Sequence, residues 1–225
     1  MRQAIPPKLQ RFFRKIEDCA RCRKEKNPLC HVLGGGRFYR PKYFFLFINP
    51  THKNRSSHAS YQGRRSYPFI GVRHLYKGLA DAGFVDPKII QKIYTKGWQI
   101  PDEIRIEASL RKNNIYISNF VKCAQPNPIN PSRQRMRAAL PSLTEELSIV
   151  NPRYIVTFGV LPLETLTGAH WRLRDILDTV RKKTYAPLPV SLGGQTYKVL
   201  PCYYPLGHGN PPKAQKILAY IRAHF

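Results

Sequence analysis

Several residue groups in this 225-residue chain have types and spacings suited to chemistry. Cys19-Ala20-Arg21-Cys22 forms a C-x-x-C pair, Cys30 follows closely, and Cys123 and Cys202 lie far along the chain. A C-x-x-C pair chelates a metal or cluster, or takes part in thiol–disulfide exchange, according to its surroundings. Asn49 stands before Pro50 at the end of one apolar run, and Asn119 ends another. Each amide carries a donor and an acceptor and needs no ionisation to use them. His208 lies in a Pro- and Gly-rich stretch that begins at Pro201 and contains Tyr204. Lys53, Arg55, Arg64, Arg65, Lys122, Arg133 and Lys213 fall near these motifs. Each has a plainer reading: Asn before Pro often caps a turn, and a single Lys or Arg is more often a solvated charge.

The elements that must position these groups are legible as apolar runs. Tyr43–Ile48, Ile115–Ser118, Tyr154–Phe158 and Tyr197–Leu200 are short and rich in aromatic and β-branched residues, as strands buried on both faces are. Helical spacing covers Val72–Ala82, Ser132–Val150, Leu161–Thr167 and Pro211–Phe225. Strands alternating with helices predict an α/β fold: a three-layer sandwich whose central, mainly parallel four-stranded sheet is flanked by helices. In such sheets the crevice lies beyond the carboxyl ends of the strands. Asn49, Asn119, Gly159 and the Pro201–His208 stretch all fall at those ends. One domain over residues 1–225 is expected, with a cysteine-bearing segment at 1–40 packed on it and an insertion at 86–114 that holds short helices. Gly34-Gly35-Gly36 reads as a turn into the first strand. No Gly-Lys-Ser/Thr follows, so it is not a phosphate loop.

Charge narrows the function. Lys and Arg number 38 against 13 Asp and Glu, a net +25, with an isoelectric point near 10.2. Self-repulsion of this size opposes compaction, and polyanion binding with release of condensed counterions is its usual reason. The cations run along the whole chain, which predicts a folded nucleic-acid-binding face and not a basic tail. Apolar runs are far shorter than the roughly 20 residues of a membrane-spanning helix, and the start lacks a signal-like apolar region. A cytoplasmic, nucleoid-associated monomer is therefore expected, without a disulfide framework.

Four stretches together resemble the uracil-DNA glycosylase superfamily, nearest its iron–sulfur branch, families four and five. They are Phe47-Ile48-Asn49-Pro50-Thr51 with Tyr67-Pro68-Phe69-Ile70-Gly71, then Tyr116-Ile117-Ser118-Asn119-Phe120-Val121-Lys122-Cys123, then the cysteines, and last Leu200 to Pro211. The second is the most specific, against a family pattern Tyr-Ile-Thr-Asn-x-Val-Lys-Cys. The resemblance implies a repair glycosylase that hydrolyses the N-glycosidic bond of uracil in DNA and leaves an abasic site.

It also implies roles. Asn49 holds a water in line, beside Pro50; Phe69 stacks on the flipped base; Asn119 reads uracil O4 and N3–H. His208, or alternatively Tyr204, stabilises charge growing on uracil O2. Lys53, Arg55, Arg64, Arg65 and Lys122 contact DNA. Cys19, Cys22 and Cys123 match three ligands of a [4Fe–4S] cluster, whereas the family's fourth position is Ala139 here, so Cys30 is the substitute. Zinc is the alternative, and no metal a third possibility. The chain also departs from the acidic residue usual in the first motif: Asn49-Pro50 looks like the mismatch-specific and single-strand-selective branches. That departure opens a second reading, a broader base range including hypoxanthine, xanthine or oxidised pyrimidines. A third is a basic, metal-stabilised nucleic-acid-binding module without catalysis.

Overall fold

The computed structural model describes residues 4–18, 31–51, 73–124, 129–206 and 209–225. In chain order these hold α1 (Pro7–Glu17), β1 (Gly35–Gly36), β2 (Tyr43–Phe47), α2 (Arg73–Asp81), α3 (Pro87–Lys96), α4 (Ile100–Lys112) and β3 (Ile115–Asn119). Then follow α5 (Arg133–Val150), β4 (Tyr154–Phe158), α6 (Val160–Thr167), α7 (Leu173–Arg181), β5 (Leu188–Leu192), β6 (Gln195–Cys202) and α8 (Pro211–His224).

The predicted strands form the centre of one sheet of order β1-β3-β2-β4-β6-β5, in which β3, β2, β4 and β6 are parallel neighbours. β2, β3 and β4 are buried at every position, which explains their predominantly apolar character; Ser118, Asn119 and Thr157 are the buried polar residues in them. The sheet has six strands where four were expected, because each edge carries a short antiparallel addition. β5 and β6 are joined at Gly193-Gly194, both with positive φ, the conformation of a tight two-residue hairpin turn. Pro189 is tolerated in β5 because that strand is an edge. The glycine run corrects a second expectation. Gly35–Gly36 pairs with Ile117 and Tyr116 as an edge strand, and is not a simple turn. A Cβ on Gly34 would sit 1.9 Å from the Tyr116 hydroxyl, so only glycine lets the backbone pass there.

Two apolar layers complete the sandwich. On one face Phe45, Phe47, Ile117, Val156 and Phe158 pack against α2, α3, α4, α7 and α8. On the other, Phe44, Leu46, Tyr116 and Ile155 pack against α1, α5 and α6. α1 enters the second layer through Leu9, Phe12 and Phe13, all buried. Each such side chain contributes about 1.5–3 kcal/mol when removed from water.

Residues 86–114 fold as two capped helices. Asp86 accepts from the Lys88 N–H to start α3, and Asp102 forms a capping box with Gln99 to start α4. Asp102 is buried and also accepts from Arg105 at 2.7 Å and Lys92 at 3.3 Å. Burial pushes its carboxyl up, but Arg105, the Gln99 N–H and Lys92 outweigh this and hold it below its usual range. A depressed folded-state value means stabilisation that is present above the unfolded carboxylate pKa of about 4 and lost as pH falls through the folded value. Asp102→Ala is therefore expected to destabilise by about 1–2 kcal/mol at neutral pH, with the gap to wild type closing below about pH 4. Thermal melts at pH 7 and pH 3 check this.

Candidate active site

The strand ends deliver the residues singled out by sequence. β2 and β3 are in register with Phe47 opposite Asn119, and β4 and β6 with Phe158 opposite Cys202. Because side chains alternate, Asn119 shares the face of Ile117 and Phe47, away from Tyr116 and Ser118. Phe47 and Phe158 stack at 4.3 Å with an interplanar angle of 14°, and Tyr204 meets Phe47 edge-on at 6.1 Å. An aromatic floor therefore lies next to the Asn119 position. Such pairs add about 0.5–1.5 kcal/mol beyond their area, so the floor is rigid.

Asn119 is fully buried, yet neither its Nδ2 nor its Oδ1 has a hydrogen-bond partner among the described residues. An unpaired buried amide costs about 1–3 kcal/mol per group, and native proteins keep few of them. Such an orphan at a strand end is a reason to look for a ligand that completes it. The Asn119 amide is itself out of water, where polar contacts count for most.

Asn49 lies just beyond β2, after Ile48, and is half-buried. Its Nδ2 donates to the Ile129 carbonyl at 3.3 Å, with a weaker contact to the Pro50 carbonyl at 3.5 Å. Because the partners are acceptors, the amide must point its nitrogen at them, which leaves Oδ1 to accept from a water or substrate. The two asparagine segments are tied together: Phe120 N donates to the Phe47 carbonyl at 2.7 Å, and Val121 N to the Ile48 carbonyl at 3.0 Å. Gly159, with φ +92°, would place a Cβ 3.6 Å from Ile48 and 3.9 Å from Tyr204, so this glycine stands between the Asn49 turn and the last motif. Asn49, Asn119, Gly159 and Tyr204 thus gather at one end of the sheet, as their strand-end positions predicted.

Tyr204 is packed against the floor, and burial pushes its phenol up. It stays protonated at neutral pH and can donate. The backbone past it is tight: Asn210 N donates to the Tyr204 carbonyl, and a Cβ on Gly209 would lie 2.1 Å from that oxygen. His208 and Phe69 lie outside the described residues, as do Lys53, Arg55, Arg64 and Arg65.

Lys122 corrects an expectation. It is buried, and so is not part of a DNA-facing rim. Its Nζ donates to Ser118 Oγ at 2.7 Å, the Asn119 carbonyl at 2.5 Å and Glu146 Oε2 at 2.5 Å. Burial lowers its pKa and Glu146 opposes the shift. Glu146, on α5, also accepts from the Tyr116 hydroxyl at 2.7 Å and from Ser118. The sequence reading passed over Glu146. The signal was an acid amid Leu143, Leu147 and Val150, on the face of α5 that enters the core; a buried carboxylate demands a buried donor set. Of the other rim candidates, Arg133 is exposed and pairs with Glu164 at 2.8 Å, and Lys213 lies over the Tyr203 ring at 5.4 Å.

Cys123 is half-buried and forms an isolated antiparallel bridge with His31. Val32 N donates to the Lys122 carbonyl at 2.9 Å beside it. Cys19, Cys22 and Cys30 lie outside the described residues. Ala139 packs against the same apolar cluster as Cys123. Cys202 is fully buried, its thiol pushed well up by burial and donating weakly to the Ala214 carbonyl. It behaves as a core residue.

The family model described as uracil DNA glycosylase superfamily matches residues 35–221, most of the chain and every strand of the sheet. The chain belongs to the uracil DNA glycosylase superfamily. Type-4 uracil-DNA glycosylases are among its relatives. That of Pyrobaculum aerophilum is 31% identical over 87 residues, 39% of this chain and 44% of the relative. That of Saccharolobus solfataricus is 28% identical over 109 residues, 48% of this chain and 49% of the relative. That of Thermotoga maritima is 26% identical over 157 residues, 69% of this chain and 73% of the relative. The chain thus spans about half the length of the first two relatives and more of the third. No helix among the described residues is long and apolar enough to cross a membrane.

Proposed function

We propose that the chain is a monofunctional uracil-DNA glycosylase that hydrolyses the bond between uracil N1 and the deoxyribose C1′. The observation that carries this reading is the fully buried Asn119 amide, without a hydrogen-bond partner among the described residues, beside the Phe47–Phe158 floor at the strand ends. Its acceptor and donor suit uracil N3–H and O4. Cytosine reverses that edge, presenting an acceptor at N3 and a donor at N4, and is disfavoured. Asn49 Oδ1 accepts from the attacking water and aligns it on C1′; the glycosidic electron pair leaves with uracil, the water's oxygen ends on the sugar as a hydroxyl, and its surplus proton passes through solvent to the departing uracil anion. Lys122, engaged by Glu146, is not available as a Schiff-base nucleophile, which favours an abasic product over strand cleavage.

His208 is the proposed donor to uracil O2, with Tyr204 as the alternative. His208→Ala is expected to lower single-turnover excision about a hundredfold, and Tyr204→Phe less than about tenfold. The reverse ranking would assign the role to Tyr204, whose phenol burial keeps neutral.

Cys19, Cys22, Cys30 and Cys123 are the proposed ligands of a [4Fe–4S] cluster, with zinc as the alternative. The His31–Cys123 bridge supports this, because the residue before His31 is Cys30. A cluster there would staple the N-terminal segment to the exit of β3; no step of the reaction passes through it. Iron, sulfide and zinc analysis of anaerobically purified protein is expected to show about four iron atoms per chain with a visible absorption band. A colourless protein free of iron would contradict the assignment.

The proposed partner is DNA carrying uracil, bound by a monomer in the cytoplasm or nucleoid. The net +25 supports strong, salt-sensitive binding. A broader base range is the second reading, favoured by Asn49 at the position where an acidic residue is usual. Single-turnover excision from otherwise identical uracil, hypoxanthine and hydroxymethyluracil duplexes separates the two. Uracil is expected to be fastest by at least about tenfold; comparable rates on the others would establish the broader range.

A further inference from the structure

We infer that Lys122 and Glu146 are positioning residues for base reading: they hold from behind the strand end that carries Asn119. This rests on the reading of Asn119 as the uracil reader.

Among the described residues the Asn119 side chain has no hydrogen-bond partner to fix its aim. The direction of its amide is therefore set by its backbone and rotamer alone. The backbone at that point is gripped by one buried network. Lys122 Nζ caps the Asn119 carbonyl at 2.5 Å, and the same ammonium holds Ser118 Oγ at 2.7 Å. Glu146 anchors the ammonium and accepts from Tyr116 and Ser118, the two β3 side chains that point away from the Asn119 face. Helix α5 thus grips β3 on its back face while Asn119 stands on its front. The same turn supplies Phe120 N to the Phe47 carbonyl and Val121 N to the Ile48 carbonyl, next to Asn49.

A buried ion pair is an inefficient route to stability alone, because desolvation offsets its attraction and apolar replacements of similar shape are often as stable. Its hydrogen bonds, however, are short, charge-assisted and directional, and so suited to holding a position. Lys122, Glu146, Ser118 and Tyr116 form a fully buried polar cluster that neither water attack nor leaving-group stabilisation uses. A supporting shell is what keeps an unpartnered reader within the small tolerance that catalysis demands.

The test is a double-mutant cycle on excision. Lys122→Met with Glu146→Gln removes both charges and keeps acceptors for Tyr116 and Ser118. In the Asn119 background it is expected to lower the single-turnover rate on uracil about tenfold. In an Asn119→Ala background the same pair is expected to lower it less than about twofold, because there is no reader left to aim. Affinity for a duplex carrying a tetrahydrofuran abasic analogue is expected to stay unchanged, since that ligand has no base to read. Equal losses in both backgrounds, or no loss in either, would overturn the positioning role. If the paired variant does not fold, Lys122→Arg goes through the same cycle; it keeps the ion pair but replaces a compact ammonium by a planar fork. At least a threefold loss, again absent in the Asn119→Ala background, is expected; additive losses or full activity would overturn the inference. A wild-type protein inactive on uracil would instead overturn the functional reading.

Discussion

Asn119→Leu is expected to lose uracil excision and gain thermal stability. The two effects have one origin. In the unbound protein the amide is buried with both polar atoms unpaired among the described residues, and an apolar side chain of similar volume relieves about 1–3 kcal/mol per group. Part of that gain is lost to imperfect packing, so a rise of about 1–3 kcal/mol, or about 2–8 °C in Tm, is the expected net. In the complex the sign reverses. Uracil O4 and N3–H are then buried against a hydrocarbon, at about 1–3 kcal/mol each, and kcat/KM falls by about a hundredfold or more. Calorimetry and single-turnover assays on the same preparation measure both. A variant that is less stable and still active would mean that Asn119 is an ordinary turn residue.

Asn49→Ala is the second large effect, and it differs in kind. The amide is half-buried and its hydrogen bonds among the described residues are the long ones to the Ile129 and Pro50 carbonyls, so little stability depends on them. Truncation is expected to change stability by less than about 1 kcal/mol. The rate at saturating enzyme should drop by about 10²–10³-fold, as when a positioned polar group is removed from a reacting centre. Affinity for a non-cleavable uracil analogue in DNA should remain within about threefold of wild type, because Asn49 is assigned to the water and not to the base. Asn49→Asp keeps an acceptor but loses the donor to Ile129, and is expected to fall between wild type and Asn49→Ala. A rate unchanged in Asn49→Ala would remove it from the mechanism.

The layered sheet was legible because its central strands carry short, mostly apolar runs bounded by turn residues, the pattern of strands buried on both faces. The two asparagines stood out by ending those runs. The edge strands were harder to read. β1 is two glycines with no side chain to pattern, and β5 carries a proline and half-exposed residues, though Gly193-Gly194 flanked by extended sequence was a usable hairpin signal. α7 was masked by its charges; only Leu173, Ile176, Leu177 and Val180 reach the core. Lys122 misled for a physical reason. A lysine in a chain of this charge reads as one more phosphate contact, and only the fold reveals Glu146 from a helix 24 residues on as its partner. The orphaned amide of Asn119 was equally beyond reach, since lacking a partner is a property of three-dimensional surroundings.

The central claim is that this strand-end site excises uracil by hydrolysis alone. The most direct measurement is to incubate the protein with an end-labelled duplex that carries a single U·G pair, then divide the sample and treat half with alkali. The account predicts intact strands before alkali and cleavage at the uracil position after it, with wild type active and Asn119→Leu not. No alkali-labile product, from uracil or any other altered base, despite tight and salt-sensitive binding, would contradict it and leave a DNA-binding protein without glycosylase chemistry.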